Sequence, residues 1–174
     1  MGNREELLSA GLAAGDLGAY ERVYELYGPA LYRSAERMLG NRADAEDAVQ
    51  DVFVSLVRSR ERIGGVGNLR AYLFVSLRRA IGRIRRRERK RHSAERRRRP
   101  PAGSAGPEVS DEFENLRRAV ARLPAEQREV ISLKIDGQLT FAQIGEVLGI
   151  SPNTAASRYR YALEKLRRLL EKDK

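Results

Sequence analysis

The side chains with the clearest recognition chemistry lie along the carboxyl-terminal segment that begins at Ser151. At helical spacing, one face of this segment carries an amide, a hydroxyl and a guanidinium, which can hydrogen-bond the edges of DNA bases, and small residues that permit close approach. This face comprises Asn153, Ala156, Ser157, Arg160, Tyr161 and Lys165. Taken by itself, this pattern is as typical of a solvated amphipathic helix as of a DNA-binding helix, so the interpretation depends on the preceding residues.

The residues before this segment predict a helix-turn-helix. Thr140 and Gln143 have the spacing of a capping box, in which each side chain hydrogen-bonds the backbone N–H of the other. Gly149 can supply the left-handed residue that ends a helix, and Ser151 followed by Pro152 suits the start of the next helix. Because a short turn between two packed helices presents the second one to the major groove, the combined pattern favours duplex DNA binding.

Apolar spacing predicts the remainder of this carboxyl-terminal module. We expect it to begin near Phe113 and to contain a further apolar segment between Pro124 and Gly137. Its earlier apolar positions are Leu116, Val120, Leu123, Val130, Ile131, Leu133 and Ile135. The packed positions expected on the last helix are Ala155, Tyr159, Ala162, Leu163, Leu166 and Leu170.

The amino-terminal half is also predicted to be helical, in three segments. A first stripe includes Tyr20, Val23, Tyr24, Tyr27, Leu31, Ala35 and Met38. We expect a kink or a helix boundary where Gly28-Pro29 interrupts it. A second stripe, which Asp44 and Asp47 are spaced to cap, includes Ala45, Ala48, Val49, Val52, Phe53, Leu56 and Val57. A third begins near Leu69 and includes Leu73, Leu77, Ala80, Ile81 and Ile84.

Positive charge is concentrated at the end of the third segment. Residues 78–99 contain 13 Lys and Arg against two Glu, and so carry more positive charge than the net +10 of the 174-residue chain. Positive charge that is concentrated in one segment indicates a polyanionic partner and is less typical of a surface that binds a membrane. Tyr72 and Phe74 precede the arginines, and aromatic rings beside basic residues are typical of single-strand binding. A nonspecific polyanion patch would have the same composition.

The apolar pattern fails between the two halves. Residues 92–112 combine arginines, the sequence PPAGSAGP and acidic residues, which cannot bury enough surface to offset chain entropy. The predicted fold is therefore all-α, with two small helical domains at 1–91 and 113–174 joined by a flexible linker at 92–112.

Several function classes are disfavoured by what the sequence lacks. It has no cysteine, and its one histidine, His92, is expected to be exposed in the linker, so no metal site and no cofactor are predicted. The glycines at 64, 65 and 67 lack the Lys and Ser/Thr of a phosphate loop and predict a flexible connection. No catalytic constellation is recognisable, so we expect a protein that is not an enzyme. The lack of a long apolar run predicts a cytoplasmic protein without membrane insertion.

Two motifs in order carry a family resemblance. The sequence DAEDAVQDVF, an arginine-rich helix and a linker are followed by LPAEQREVISLKIDGQLTFAQIGEVLGISPNTAASRYRYALEKLR. From about Gly15 to Leu170 the chain resembles the extracytoplasmic-function (ECF) group of sigma-70 factors. The resemblance implies a transcription initiation factor that binds core RNA polymerase, directs it to promoter DNA and helps to melt the duplex. It also implies contact with the polymerase clamp coiled coil and flap, and an anti-sigma protein as a further partner.

The same resemblance assigns roles to individual residues. The polymerase-binding set, on the clamp coiled coil, is Glu46, Asp47, Gln50 and Asp51. The set for the minus-ten promoter element is Asn68, Tyr72, Arg78, Arg79, Arg83, Arg86 and Arg87. The set for the minus-thirty-five element is Asn153, Thr154, Ser157, Arg158, Arg160 and Tyr161, with Thr154 and Arg158 expected on phosphates. Family members often have Trp where Tyr72 stands and Asn where Arg79 stands.

Two other classes fit parts of the sequence. A stand-alone helix-turn-helix regulator would explain the carboxyl-terminal module but not the acidic helix or the aromatic-arginine helix. An RNA-binding module built on the arginine helix would leave the helix-turn-helix unexplained. A test of whether the chain binds core polymerase distinguishes a sigma factor from both the stand-alone regulator and the RNA-binding module.

Overall fold

The computed structural model describes residues 2–95 and 111–172, and within these ranges the chain is helical without any strand. The helices are α1 (Gly2–Ala14), α2 (Leu17–Leu39), α3 (Arg42–Arg58), α4 (Arg60–Ile63), α5 (Leu69–Glu95), α6 (Asp111–Ala121), α7 (Ala125–Ile135), α8 (Phe141–Leu148) and α9 (Pro152–Lys172). The predicted all-α fold is confirmed. Among the described residues, no helix has both the length and the apolar content needed to cross a membrane.

The predicted linker, residues 92–112, overlaps the ends of two observed helices. Helix α5 continues to Glu95 and α6 begins at Asp111, so helical backbone occupies both ends of the segment 92–112. Residues 96–110 lie outside the described residues, as does the side chain of His92, and the predictions for them remain predictions.

Of the two outcomes expected at Gly28-Pro29, a kink or a helix boundary, the boundary is wrong, because α2 runs unbroken from Leu17 to Leu39. Proline removes one backbone hydrogen bond from a helix interior and costs about 3 kcal/mol in the absence of compensation. Here Pro29 is exposed, whereas Val23, Leu31 and Ala35 are fully buried on the opposite side. Apolar packing on both sides of the proline therefore holds the helix together.

The cap of helix α3 lies three residues before the predicted one. Its N-cap is Asn41, whose Oδ1 accepts from the backbone N–H of Ala43 at 2.9 Å and more weakly from that of Asp44 at 3.5 Å. Asp44 lies in the first turn, where its negative charge suits the helix dipole and where it accepts from the Asn41 amide at 3.0 Å. The capping signal was present in the sequence one turn earlier than we expected.

The cores of the two halves are not separate. Helices α2, α3 and α5 surround a buried cluster that includes Leu31, Leu56 and Leu77, and the same cluster continues into Leu133 and Ile144 of the carboxyl-terminal half. A second, smaller cluster joins α6 and α9. The two helical domains therefore pack directly against each other in this arrangement.

A buried carboxylate lies at this junction. Asp136 follows α7, and its side chain is only 3% exposed. It accepts a bidentate pair of hydrogen bonds, at 3.1 and 3.2 Å, from Arg37 of α2, while Arg33 lies 3.7 Å away. The buried hydroxyl of Ser132 lies 3.1 Å from the same carboxylate and forms a 2.7 Å hydrogen bond with Ser34 of α2. Every polar group in this cluster thus has a partner.

Two contacts on α5 complete the junction. Arg70 donates to the backbone oxygen of Gly137 at 3.2 Å and to the side chain of Gln138 at 3.0 Å. Arg78 pairs with Glu129 of α7 at 2.9 Å. A Cβ at Gly137 would lie 2.5 Å from the backbone oxygen of Leu133 and 3.3 Å from the ring of the buried Phe74, so glycine suits the end of α7 and also leaves room for the other half of the chain.

Substituting Asp136→Ala should lower the free energy of unfolding by about 3 kcal/mol, because it leaves the partly buried Arg37 and the buried Ser132 without their acceptor. Urea unfolding monitored by circular dichroism measures the loss. The control is Glu25→Ala, which removes an exposed pair with Arg22 and should change the free energy by less than about 1 kcal/mol. Equal losses in the two variants would contradict the role of Asp136.

Candidate functional site

The helix-turn-helix is formed by α8 and α9, and its predicted capping is confirmed. The Thr140 N–H donates to Gln143 Oε1 at 2.8 Å, and the Gln143 N–H donates to Thr140 Oγ1 at 3.2 Å. Gly149 ends α8 in the left-handed conformation with φ 68°. Ser151 Oγ then accepts from the Thr154 N–H at 3.1 Å, and Pro152 takes the first position of α9.

Close backbone approach fixes the turn between α8 and α9. A Cβ built on Gly145 would lie 2.6 Å from the backbone oxygen of Ile150, which is shorter than any normal contact. The glycine therefore lets the turn fold back against α8, while Ile150 packs partly buried against the core. This contact sets where α9 leaves the turn, and hence which of its faces points outward.

Helix α9 presents most of its predicted recognition residues to solvent. Its buried side carries Ala155, Ala162 and Leu166. Leu163, which we expected in the core, is 43% exposed, because it lies at the edge of the apolar stripe. The exposed positions Asn153, Thr154, Arg160 and Tyr161 and the half-buried Ser157 lie away from the core side, whereas the half-buried Arg158 lies at the edge of that side.

Two arginines on α9 have different surroundings. The Arg160 guanidinium lies 5.3 Å from the centroid of the exposed Tyr161 ring, which orients it on the outer face. Arg158 instead pairs with Glu126 of α7 at 2.7 Å and is 29% exposed. Glu164 was missed by the sequence reasoning, although it follows Ser157 and Arg160 at helical spacing and is exposed. A carboxylate there can accept from a cytosine amino group.

Helical spacing divides the arginines of α5 between two faces. Tyr72, Arg79 and Arg83 line a cavity of about 300 Å³ with Ser76 of the same helix. Its other lining residues are Ser55 of α3, Ser59 between α3 and α4, and Arg62 of α4. Arg62 had not been identified from the sequence. Arg86 and Arg87 are exposed farther along the helix. Arg78 lies about 100° around the helix from Arg79 and pairs with Glu129, so the structure separates it from this group.

Asn68 caps α5, because its Oδ1 accepts from the Ala71 N–H at 2.8 Å. The oxygen therefore has a structural role, whereas the side-chain NH₂ forms no hydrogen bond with any of the described residues. The sequence had suggested Asn68 only as a DNA contact. The sequence did contain a signal for this capping role, because asparagine is a preferred N-cap residue and Asn68 directly precedes the apolar start of the helix.

The acidic face of α3 is exposed and adjoins an apolar groove. Glu46, Asp47 and Gln50 are exposed, with Glu46 paired to Arg42 at 3.2 Å, whereas Asp51 is half-buried and pairs with Arg83 of α5 at 3.1 Å. Asp51 thus connects the acidic face to the cavity on α5.

The groove between α2 and α3 has a volume of about 1170 Å³. Tyr24 and Val57 line it and are 58% and 53% exposed, although we expected both in the core. Both lie at the edge of their stripes, and the Tyr24 ring packs on Phe53 with a centroid distance of 5.1 Å. Periodicity gives the direction of a stripe but not how much of its width a neighbouring helix covers.

Two family models match the chain in separate ranges. The model for Sigma-70 region 2 matches residues 23–91, which include α3 and most of α5. The model for Sigma-70, region 4 matches residues 113–166, which include the helix-turn-helix. Together they cover the three surfaces described above.

Two sigma factors are similar in sequence to this chain over nearly its full length. The ECF RNA polymerase sigma factor SigL of Mycobacterium tuberculosis is 33% identical over 167 residues, covering 93% of this chain and 94% of SigL. The RNA polymerase sigma factor CarQ of Myxococcus xanthus is 33% identical over 158 residues, covering 87% and 89%.

Two solved structures have the same fold as this chain. The sigma factor RpoE in complex with the anti-sigma factor NepR from Bartonella quintana has a TM-score of 0.74 at 25% identity, covering 89% of this chain and 98% of that one. CnrH in complex with the cytosolic domain of CnrY has a TM-score of 0.74 at 25% identity, covering 98% and 99%.

Two glycine-to-alanine substitutions should have opposite effects on stability. Gly145→Ala should lower the free energy of unfolding by about 1–3 kcal/mol, since the added Cβ meets the Ile150 oxygen. Gly82→Ala, inside α5 with its nearest neighbour 3.9 Å away, should raise it by about 0.4–1 kcal/mol. Urea unfolding measures both. A tolerated alanine at position 145 would show that the turn does not depend on this close approach.

Proposed function

This chain belongs to the ECF group of the sigma-70 family of RNA polymerase sigma factors, and on that premise we propose which of its surfaces bind polymerase and promoter DNA. Sigma factors bind core RNA polymerase and direct the initiation of transcription at promoters, and this chain is such a factor. The observation that carries the proposal is the presence of separate acidic, arginine-lined and helix-turn-helix surfaces on one chain. A stand-alone regulator needs only the last of these.

The outer face of α9 reads the minus-thirty-five element. Asn153, Ser157 and Arg160 contact base edges, because they are directed away from the buried side of the helix and carry donors and acceptors that suit the major groove. Thr154 flanks that face and contacts a phosphate, and Arg158 does so once a phosphate replaces Glu126, with which it pairs at 2.7 Å. Tyr161 supports Arg160 through the contact between ring and guanidinium.

The cavity on α5 binds the unpaired minus-ten strand. Three guanidinium groups, from Arg62, Arg79 and Arg83, meet there with serine hydroxyls and with the ring of Tyr72. Cations suit phosphates and an aromatic ring can stack on a base, which together are the requirements for holding a single strand. Arg86 and Arg87 extend the basic surface along the exposed side of the same helix.

Arg78 reaches DNA only after a rearrangement. Its guanidinium pairs with Glu129 of α7 in the observed arrangement, so a phosphate has to replace that carboxylate. Separation of the two halves on polymerase would accomplish this. The contact therefore supports a model in which the packed arrangement precedes promoter binding.

The acidic face of α3 docks on the clamp coiled coil of polymerase, and the carboxyl-terminal domain lies at the flap. Glu46, Asp47 and Gln50 are exposed beside an apolar groove, a combination that suits a basic and amphipathic partner. We also propose that an anti-sigma protein binds this chain, which is supported by the two similar structures solved as complexes with such partners.

Replacing Asp47→Arg together with Gln50→Ala should weaken core polymerase binding at least tenfold, which corresponds to about 1.4 kcal/mol. The change reverses charge at the centre of the exposed acidic face without breaking the pair between Asp51 and Arg83. Fluorescence anisotropy of the labelled chain titrated with core polymerase measures the affinity. Glu171→Arg, a similar reversal at the exposed end of α9, should leave it unchanged. If the double variant binds core polymerase as tightly as the parent chain does, α3 is not the docking surface.

Substituting Arg160→Ala should lower the affinity for the cognate minus-thirty-five element by about 1–3 kcal/mol and relax specificity at one or two base positions. Reconstituted polymerase transcribing fragmented genomic DNA first identifies the promoter, and binding to base-substituted duplexes then measures the effect. Arg22→Ala, on the exposed side of α2, is the control. Uniform weakening across all duplexes would instead make Arg160 a phosphate contact.

A further inference from the structure

A second cavity lies where the two halves of the chain meet, apart from the proposed DNA and polymerase surfaces. Its volume is about 730 Å³, and it is bounded by the end of α2, by α5, by α6 and by the start of α7. Seven of the described residues that line it are arginines, whereas Glu36 is the one acidic residue among them. A cavity of this size is comparable to those that hold small organic ligands, which are about 300–1,000 Å³.

The arginines of this cavity are not equally neutralised. Arg37 pairs with Asp136 and Arg117 pairs with Glu114, so each has a carboxylate. Arg85 and Arg128, in contrast, donate to neutral backbone oxygens, those of Met38 at 2.8 Å and Ala121 at 3.0 Å. These bonds hold two guanidinium groups in position without cancelling their charge.

Arg128 also has an unused donor. Its Nε is buried and lacks a hydrogen-bond partner among the described residues. Burial lowers the pKa of Arg128, and repulsion from Arg85 lowers that pKa further. The buried Nε is out of reach of a ligand in the cavity, whereas the two like charges of Arg85 and Arg128 are unfavourable side by side unless an anion joins them.

The remaining wall of the cavity is apolar. Met38 and Leu39 at the end of α2 and Leu116 and Val120 of α6 also line it. A ligand that satisfies both walls carries several negative charges at one end and a flat or apolar body at the other. Phosphate groups suit guanidinium pairs because they accept bidentate hydrogen bonds.

We propose that this cavity binds a nucleoside polyphosphate, with its phosphates between Arg85 and Arg128 and its base against Leu116 and Val120. A nucleic-acid duplex is too wide to enter a cavity of this volume between two packed domains. Because both halves contribute to the walls, the bound nucleotide stabilises the arrangement in which Arg78 pairs with Glu129. This inference does not depend on the surfaces proposed for polymerase or promoter binding.

Isothermal titration calorimetry of the full chain with ATP and with GTP tests the proposal. Each nucleotide should bind at one site, whereas adenosine and inorganic triphosphate, which satisfy only one wall each, should bind at least tenfold more weakly. Arg128→Gln should weaken nucleotide binding at least tenfold. Arg89→Gln, at an exposed position on the cavity rim, should weaken it severalfold and provides a second variant that does not disturb buried packing.

The matched control is Arg22→Gln, which removes the same charge on α2 about 16 Å along the helix from Arg33 at the near edge of the cavity. It should bind ATP like the parent chain. Circular dichroism verifies the fold of every variant. The proposal is overturned if neither nucleotide binds, or if Arg22→Gln and Arg89→Gln weaken binding equally. It is also overturned if triphosphate and a single-stranded oligonucleotide compete as well as ATP, because general polyanion attraction would then account for the binding.

Discussion

The buried carboxylate of Asp136 determines how the two halves of this sigma factor sit together. Burying an ionised group is costly, and here the cost is offset by a bidentate contact from Arg37, by a second charge on Arg33 and by the hydroxyl of Ser132. Both arginines come from α2, while the carboxylate follows α7, so the compensation exists only when the halves are in register. The apolar core favours their association, whereas this cluster specifies its geometry. The contacts of Arg70 and Arg78 depend on that register.

The elements that could be predicted from the sequence are those whose signals are local. Thr140, Gln143 and Gly149 act on backbone groups within a few residues, and all three have the predicted roles. Signals that depend on distant packing failed. A helix boundary, one of the two outcomes expected at Pro29, is absent because tertiary contacts maintain α2, and Tyr24 and Val57 were assigned to a core that does not extend to them. The junction between the halves could not be foreseen, because apolar spacing does not say which stripes meet.

The basic segment shows the same limit for the functional site. Its composition predicts a polyanionic partner, but composition assigns every arginine the same role. The helix separates them: Arg79 and Arg83 line a cavity with Tyr72, whereas Arg85 supports the end of α2 through the Met38 oxygen. Arg78 faces the other half of the chain. A shift of one residue along a helix turns a side chain by about 100°, so adjacent arginines in the sequence can serve folding and binding separately.

The packed arrangement also bears on how binding at one surface can affect another. Arg83 of the proposed minus-ten cavity pairs with Asp51 on the acidic face of α3, and Arg78 pairs with Glu129 beside the helix-turn-helix. A polymerase or promoter contact that takes one member of such a pair leaves the other member available for a new partner. By linkage, a ligand that favours one set of pairs weakens the binding of a partner that requires the other set, and that partner weakens the binding of the ligand by the same free energy. The exposed pair between Asp51 and Arg83 contributes little to this coupling, since screening by water limits it to about 1 kcal/mol or less. The buried cluster at Asp136 is the larger contribution, and it is therefore the contact that a partner separating the two halves has to replace.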